Sequence, residues 1–327
     1  MEQNNLLTVK NLHTAFRIDG NYYDAVEGVS FDVHPNEMLA IVGESGCGKS
    51  TIAMSVMGLH DMRFTRVSGE ILLNGRDLLT LPEDEMNKIR GKDIGFIFQD
   101  PLASLNPLQR VGKQIEEALL YHTNLNEKER QERVLQLLND VGIQNPKRTA
   151  QRFPHELSGG MRQRLLIAMA VACNPKLLIA DEPTTALDVT IQAEIMRLLQ
   201  HIQKTIGMAM VLITHDIGLI AQMVDRVMVM YAGQIIEEAE VKMLFAHPLH
   251  PYTRMLLASA PGVQDAKSRR LENIRGSVPE DYASITGCRF AARCPFADES
   301  CQKPQTYREL ASCHKVRCHK AREIAHV

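Results

Sequence analysis

The sequence predicts an α/β fold: a parallel sheet flanked by helices, an antiparallel β region near the N-terminal end, a helical insert and a short cysteine-rich C-terminal extension. Three observations carry this. The apolar run 38–42 leads into a glycine-rich loop and then a helical stretch, 49–57. Strand and helix alternate from 177 to 231, the pattern of a parallel sheet with crossover helices. Five of the seven cysteines fall in the last forty residues.

Taken in order, residues 6–9 and 29–33 read as strands, and 70–75 as a strand closed by an Asn-Gly turn. Residues 94–98 form another short apolar strand, followed by a turn-rich stretch to Pro107. The pattern becomes helical over 113–121 and 127–141, with Asn126 suited to capping the second helix. A helix over 161–173 follows, then strand 177–180, helix 190–204, strand 209–213, helix 216–224 and strand 226–231, with a hairpin turn at 231–235. After residue 258 the composition turns polar, and the stretch to Gly287 reads as a linker.

The 327 residues suggest about two domains. A net charge of −2, a pI near 6.6 and the absence of tryptophan give no footprint for nucleic acid. The polar start and the lack of any apolar run of about 18 residues predict a cytosolic chain that reaches a membrane only through partners.

The loop reads Gly43-Glu-Ser-Gly-Cys-Gly-Lys-Ser50, a Walker A sequence. Glycines at 43, 46 and 48 let the backbone curl so that its N–H groups face phosphate oxygens, and the following helix adds partial positive charge at its N-terminus. Lys49 is the residue to reach the β- and γ-phosphates, and the Ser50 hydroxyl the Mg²⁺ ligand. The plain alternative, a glycine-rich turn that happens to match, is disfavoured by the strand before it and the helix after it. Leu177-Leu-Ile-Ala-Asp-Glu182 ends a second apolar strand on two carboxylates. Asp181 suits the Mg²⁺ shell, and Glu182 is placed to polarise an attacking water. Ser158-Gly-Gly160 opens a helix, where a hydroxyl and free N–H groups can grip phosphate or simply cap the helix.

The ordered set 43–51, Gln99, 157–164, 177–182, 186–188 and His215 resembles the nucleotide-binding domain of ATP-binding cassette (ABC) proteins over roughly residues 5–260. The resemblance implies nucleotide contacts from Gly43, Ser45, Gly46, Gly48, Lys49, Ser50 and Thr51. It implies Mg²⁺ held by Ser50, Gln99 and Asp181, and catalysis through Glu182, His215 and Gln99. Ser158, Gly159 and Gly160 would contact the γ-phosphate bound by the opposite subunit of a head-to-tail dimer, with Asp188 between subunits. Phe16, or else Tyr23, would stack on adenine.

No long coiled coil separates Walker A from the 157–164 motif, and there is one cassette, not two. These features turn the expectation from DNA-repair and translation ATPases towards a transport subunit. Phe98–Pro101, Ser104–Pro107, His250-Pro-Tyr-Thr253 and the segment 287–297 resemble the ATP-binding subunits of oligopeptide and dipeptide importers, a group that includes nickel importers. The implied function is ATP hydrolysis powering solute import at the cytoplasmic face of the membrane. The implied partners are two permease chains, a second ATP-binding subunit and an extracellular or periplasmic solute-binding protein.

In a reducing compartment the C-terminal cysteines point to metal and not to disulfides. Cys288, Cys294, Cys301 and Cys313 follow at gaps of six, seven and twelve positions, without paired C-x-x-C knuckles. Four thiolates can hold a 4Fe–4S cluster, and the resembled importers have one at matching cysteines. Cys318 is then extra or an alternative fourth ligand, and zinc recruiting His314 or His319, or plain buried thiols, remain open. The expected division is 1–260 for the nucleotide-binding domain, with a helical subdomain at about 105–165, and 261–327 for the extension.

Overall fold

The computed structural model describes residues 5–259, 276–279, 281–311 and 313–324. Most of the linker expected after residue 258 lies outside them. The chain divides into two compact units, one built from 5–33, 38–79 and the described part of 213–327, the other from 34–37 and 80–212.

In the first unit, β1 (Leu7–Ile18) and β2 (Asn21–Val33) form a long antiparallel hairpin. Its two-residue turn is Asp19-Gly20, both at positive φ (49° and 88°), and Ile18 pairs with Asn21. Such a turn matches the twist of the strands it joins. Asp-Gly was therefore a hairpin signal in the sequence, which the expected short strands 6–9 and 29–33 passed over. Five fully buried residues make β3 (Met38–Val42), and α1 (Lys49–Met57) follows the glycine loop. Gly58, at φ 61°, ends α1 by donating its N–H to the Met54 and Ser55 carbonyls. β4 (Thr65–Leu73) and β5 (Arg76–Asp77) close on the Asn74-Gly75 turn, giving the antiparallel order β2-β1-β4-β5.

The second unit carries α2 (Glu83–Ile89), β6 (Ile94–Ile97), α3 (Pro101–Ser104), α4 (Val111–His122), α5 (Glu127–Asp140), α6 (Pro146–Thr149), α7 (Gly159–Ala170), β7 (Leu177–Asp181) and α8 (Val189–Ile206). β8 (Ala209–Thr214) starts here and ends in the first unit. β6 and β7 pair in parallel, Ile97 opposite Ala180. Helices α4, α5 and α7 pack on one another, and Ile115 and Leu119 of α4, Val134, Leu137 and Leu138 of α5 and Leu165 and Leu166 of α7 are all buried. Asn126 caps α5 as expected: its side chain accepts from the Glu129 N–H, and the Glu129 carboxylate accepts from the Asn126 N–H.

The rest of the first unit is α9 (Ile217–Ile220), β9 (Arg226–Tyr231), β10 (Gln234–Glu240), α10 (Val241–Ala246), α11 (Pro251–Ser259), β11 (Arg308–Ala311), β12 (His314–Val316) and α12 (Ala321–Ile324). Instead of the expected 216–224, α9 spans a single turn. β9 runs parallel to β3 and antiparallel to β10, through the Ala232-Gly233 turn. The β11–β12 hairpin extends the other edge of β10, Glu237 opposite Val316. Glu237 is fully buried, so its carboxylate needs partners. It accepts from the Leu249 and His250 N–H groups and meets His314 Nε2 at 2.8 Å. No helix among the described residues is long and apolar enough to cross a membrane.

Candidate nucleotide-binding groups and a cysteine-lined cavity

β3 delivers the chain into the 43–48 loop. Gly43 has no space for a side chain, because a Cβ there would stand 2.2 Å from the Met230 carbonyl oxygen. Gly48, at φ 104°, is equally constrained, 2.7 Å from the Ala25 oxygen, whereas Gly46 (φ 78°) faces open space and is needed for its backbone alone. Lys49 is buried, and its ammonium donates to the Gly43 and Glu44 carbonyls at 2.9 and 3.0 Å. A buried ammonium ringed by backbone dipoles at a helix start is a ready anion partner, so the residues fit a nucleoside triphosphate. Ser45 and Gly46 are exposed, and Ser50 and Thr51 half-buried. Burial raises the Cys47 thiol, and Lys49 partly opposes the shift.

The two adenine candidates, Phe16 and Tyr23, face each other across the β1–β2 ladder and so share one side of it. Phe16 packs edge-on against His60, ring centres 5.5 Å apart, while Tyr23 is exposed. His215, at the end of β8, is exposed.

In the other unit, β7 brings Asp181 and Glu182 to its end, Asp181 buried and Glu182 at φ 45°. A left-handed backbone at a non-glycine residue marks a tightly held position. The Glu182 carboxylate accepts from Gln99 Nε2 at 2.9 Å and from the Thr185 hydroxyl at 2.8 Å. Thr185 was absent from the sequence expectation; its hydroxyl three positions after a strand-end acid was the available sign. Ser158 caps α7, accepting from the Met161 N–H, and Asp188 caps α8, accepting from the Ile191 N–H. Gly160 lies close to Ile191, where a Cβ would come within 3.0 Å of its side chain, so the 158–160 turn and the start of α8 touch. The plain capping role of Ser158 is therefore present, with Gly159 and Gly160 half-buried beside it.

At the C-terminal end, Cys288, Cys294, Cys301 and Cys318 line one small cavity of about 10 Å³, with Phe290 and His250. Cys313, expected as the fourth ligand, is exposed at the β11–β12 turn with φ 56°, and its N–H is held by Glu309. Cys313 is not among the residues that line the cavity, whereas Cys318, just past β12, is. Burial pushes Cys288 and Cys318 up to about 11 and raises Cys294, so metal binding here must displace protons. Thiolates on one tetrahedral zinc stand about 3.8 Å apart. Among the described residues, the only three metal-capable groups within 4.8 Å of one another are Asp298, Cys301 and His319. The four thiols are thus spread more widely than a single zinc needs. Four thiols match the donor number and type of a four-iron cluster, and the cavity as it stands has room for about one water.

The family described as ABC transporter matches residues 26–185, and the C-terminal region of oligopeptide/dipeptide transporters matches residues 236–301. The chain is 48% identical over 320 residues to the oligopeptide transport ATP-binding protein OppD of Lactococcus lactis subsp. cremoris, covering 97% of this chain and 94% of that one. It is 49% identical over 315 residues to the dipeptide transport ATP-binding protein DppD of Haemophilus influenzae, covering 96% and 95%. Among solved structures, a dimeric ATP-binding cassette in a post-hydrolysis state with ADP and Pi is 30% identical, with a TM-score of 0.65 over 72% of this chain and 98% of that one. A cassette of a Clostridium perfringens ABC transporter complex is 30% identical, with a TM-score of 0.64 over 74% and 91%. A glycine loop with its buried lysine, an acidic strand end held by Gln99 and near-full-length identity lead to one conclusion: this chain is an ABC ATPase and belongs to the family of ATP-binding subunits of oligopeptide and dipeptide transporters.

Proposed function

We propose that the chain hydrolyses ATP to drive import of an oligopeptide or dipeptide through a separate membrane permease, from the cytoplasmic face. One observation carries the reading: identity of 47–49% extends over nearly the whole chain to subunits named for peptide transport. In this reading Lys49 and the N–H groups of 43–51 hold the phosphates. Ser50, Asp181 and Gln99 hold Mg²⁺, which would supply charge neutralisation at the phosphates. Glu182 takes the proton of the attacking water and His215 contacts the γ-phosphate. Ser158, Gly159 and Gly160 serve the nucleotide of a second ATP-binding subunit, a pairing supported by the dimeric cassette similar to this chain. Phe16 is assigned to adenine, since Tyr23 is the more solvated of a pair on one face.

Residues 1–260 are assigned as the nucleotide-binding domain, with the helical subdomain at about 105–165, and 261–327 as the extension. The exposed apolar side chains Leu102 and Leu108, just after Gln99, suit a permease helix, and a solute-binding protein would act through that permease. For the cysteine cavity the donor set supports a 4Fe–4S cluster on Cys288, Cys294, Cys301 and Cys318, with a structural role.

Co-purification from membranes and ATP-dependent uptake of labelled peptides would test the transport reading. A permease partner and loss of uptake on deleting the chain are expected. Isolation with a soluble macromolecular assembly and no permease would overturn it.

A further inference from the structure

We propose that Arg293 is a positioning residue for the phosphate loop, neutralising Glu44 and holding that carboxylate off the nucleotide phosphates. An acid inside a loop that receives a polyanion is an electrostatic liability. Glu44 is pinned at each of its polar groups. Its N–H donates to the Tyr252 hydroxyl at 3.0 Å, its carbonyl accepts from Lys49, and both carboxylate oxygens accept from Arg293 Nη1 at 3.1 Å.

Arg293 is itself fixed and nearly buried, with 8% of its side chain exposed. The same Nη1 reaches the Tyr231 hydroxyl at 3.2 Å, and Nη2 donates to the Gly276 carbonyl at 3.1 Å. Tyr231, Tyr252 and Phe290 form a mutual aromatic cluster, with ring centres 4.8 to 5.4 Å apart, beneath this contact. Arg293 sits in the turn between Cys288 and Cys294, 249 positions from Glu44. The C-terminal segment thus supplies a cation that the glycine loop lacks. Loss of that cation frees a negative charge within the phosphate loop, and at an effective dielectric near 20 one unit charge about 12 Å from a phosphate already makes about a tenfold change in affinity.

The inference rests on ATP binding by this loop, which titration of the wild-type chain measures on its own. Mg-ATP affinity of the full chain would be compared for wild type, Arg293→Gln, Glu44→Gln and the double variant, at low and high salt. Arg293→Gln should weaken binding about tenfold, less at high salt. Glu44→Gln should tighten it at least twofold, and the double variant should return to within about threefold of wild type. Arg293→Gln binding within twofold of wild type, or a double variant as weak as Arg293→Gln, would overturn the proposal. Where Arg293→Gln does not fold, Glu44→Gln decides alone: tightening of twofold or more supports the proposal, and anything less overturns it.

Discussion

Gln99 Nε2 donates a 2.9 Å hydrogen bond to the Glu182 carboxylate across 83 positions of sequence. Strand register explains the meeting. Ile97 is opposite Ala180 in the parallel β6–β7 pair, and each of the two polar residues lies two positions further on. Glu182→Gln keeps size and hydrogen bonding but cannot accept a proton. ATP turnover should fall by about 10²-fold or more while Mg-ATP affinity stays within a few-fold. Steady-state hydrolysis measured beside nucleotide titration checks this, and near-normal turnover would remove Glu182 from its assigned role.

The cysteine cavity separates two thiols that spacing alone left interchangeable. On the proposed cluster assignment, wild-type protein from anaerobic expression should be brown, Cys318→Ser should lose the iron and the colour, and Cys313→Ser should keep both. Iron and sulfide analysis of the two proteins decides. Equal loss in both would overturn the choice of Cys318 over Cys313, and colourless wild-type protein with one zinc would refute the cluster.

Burial holds His250 down at about 3, and its Nδ1 accepts the Tyr252 N–H, as a neutral imidazole must. The unfolded chain takes up this proton near pH 6.5, the folded chain only near 3. The stabilising difference is therefore whole above about 6.5 and is lost as pH falls, by up to about 1.4 kcal/mol per pH unit. Chemical denaturation of wild type and His250→Asn between pH 7 and 5 should show a shallower slope for the variant. Equal slopes would mean that His250 charges freely in the folded state.

At the start of α5, Asn126→Ala removes the acceptor of the Glu129 N–H and should cost about 1 kcal/mol. A fall in denaturation midpoint with unchanged denaturant dependence is the expected signature.

Much of this was legible in the residues. β3, β7, the glycine loop and the Asn126 cap each follow from a local rule, and local rules are visible in one sequence. What escaped depends on distant partners. Thr185 has meaning only once Glu182 is held at φ 45°. Arg293 looks like one basic residue in a cysteine-rich segment until Glu44 is beside it. Cys313 and Cys318 both fit a ligand count, and only the β11–β12 hairpin tells them apart. The long β1–β2 hairpin was missed although Asp19-Gly20 announced it, because bulges break the alternation of its strands.

The β11–β12 hairpin also decides how β10 meets solvent. β10 has β9 on one side and β12 on the other, where Glu237 and Glu238 stand opposite Val316 and Lys315, so the middle of that flank is covered. A chain cut before β11 would leave one flank as an open edge, and Glu237 would lose His314 inside an apolar site. Open edges template pairing between molecules. The C-terminal segment thus moves the sheet edge from β10 out to the four-residue β11, and a chain shortened before β11 is expected to aggregate more readily than the full chain.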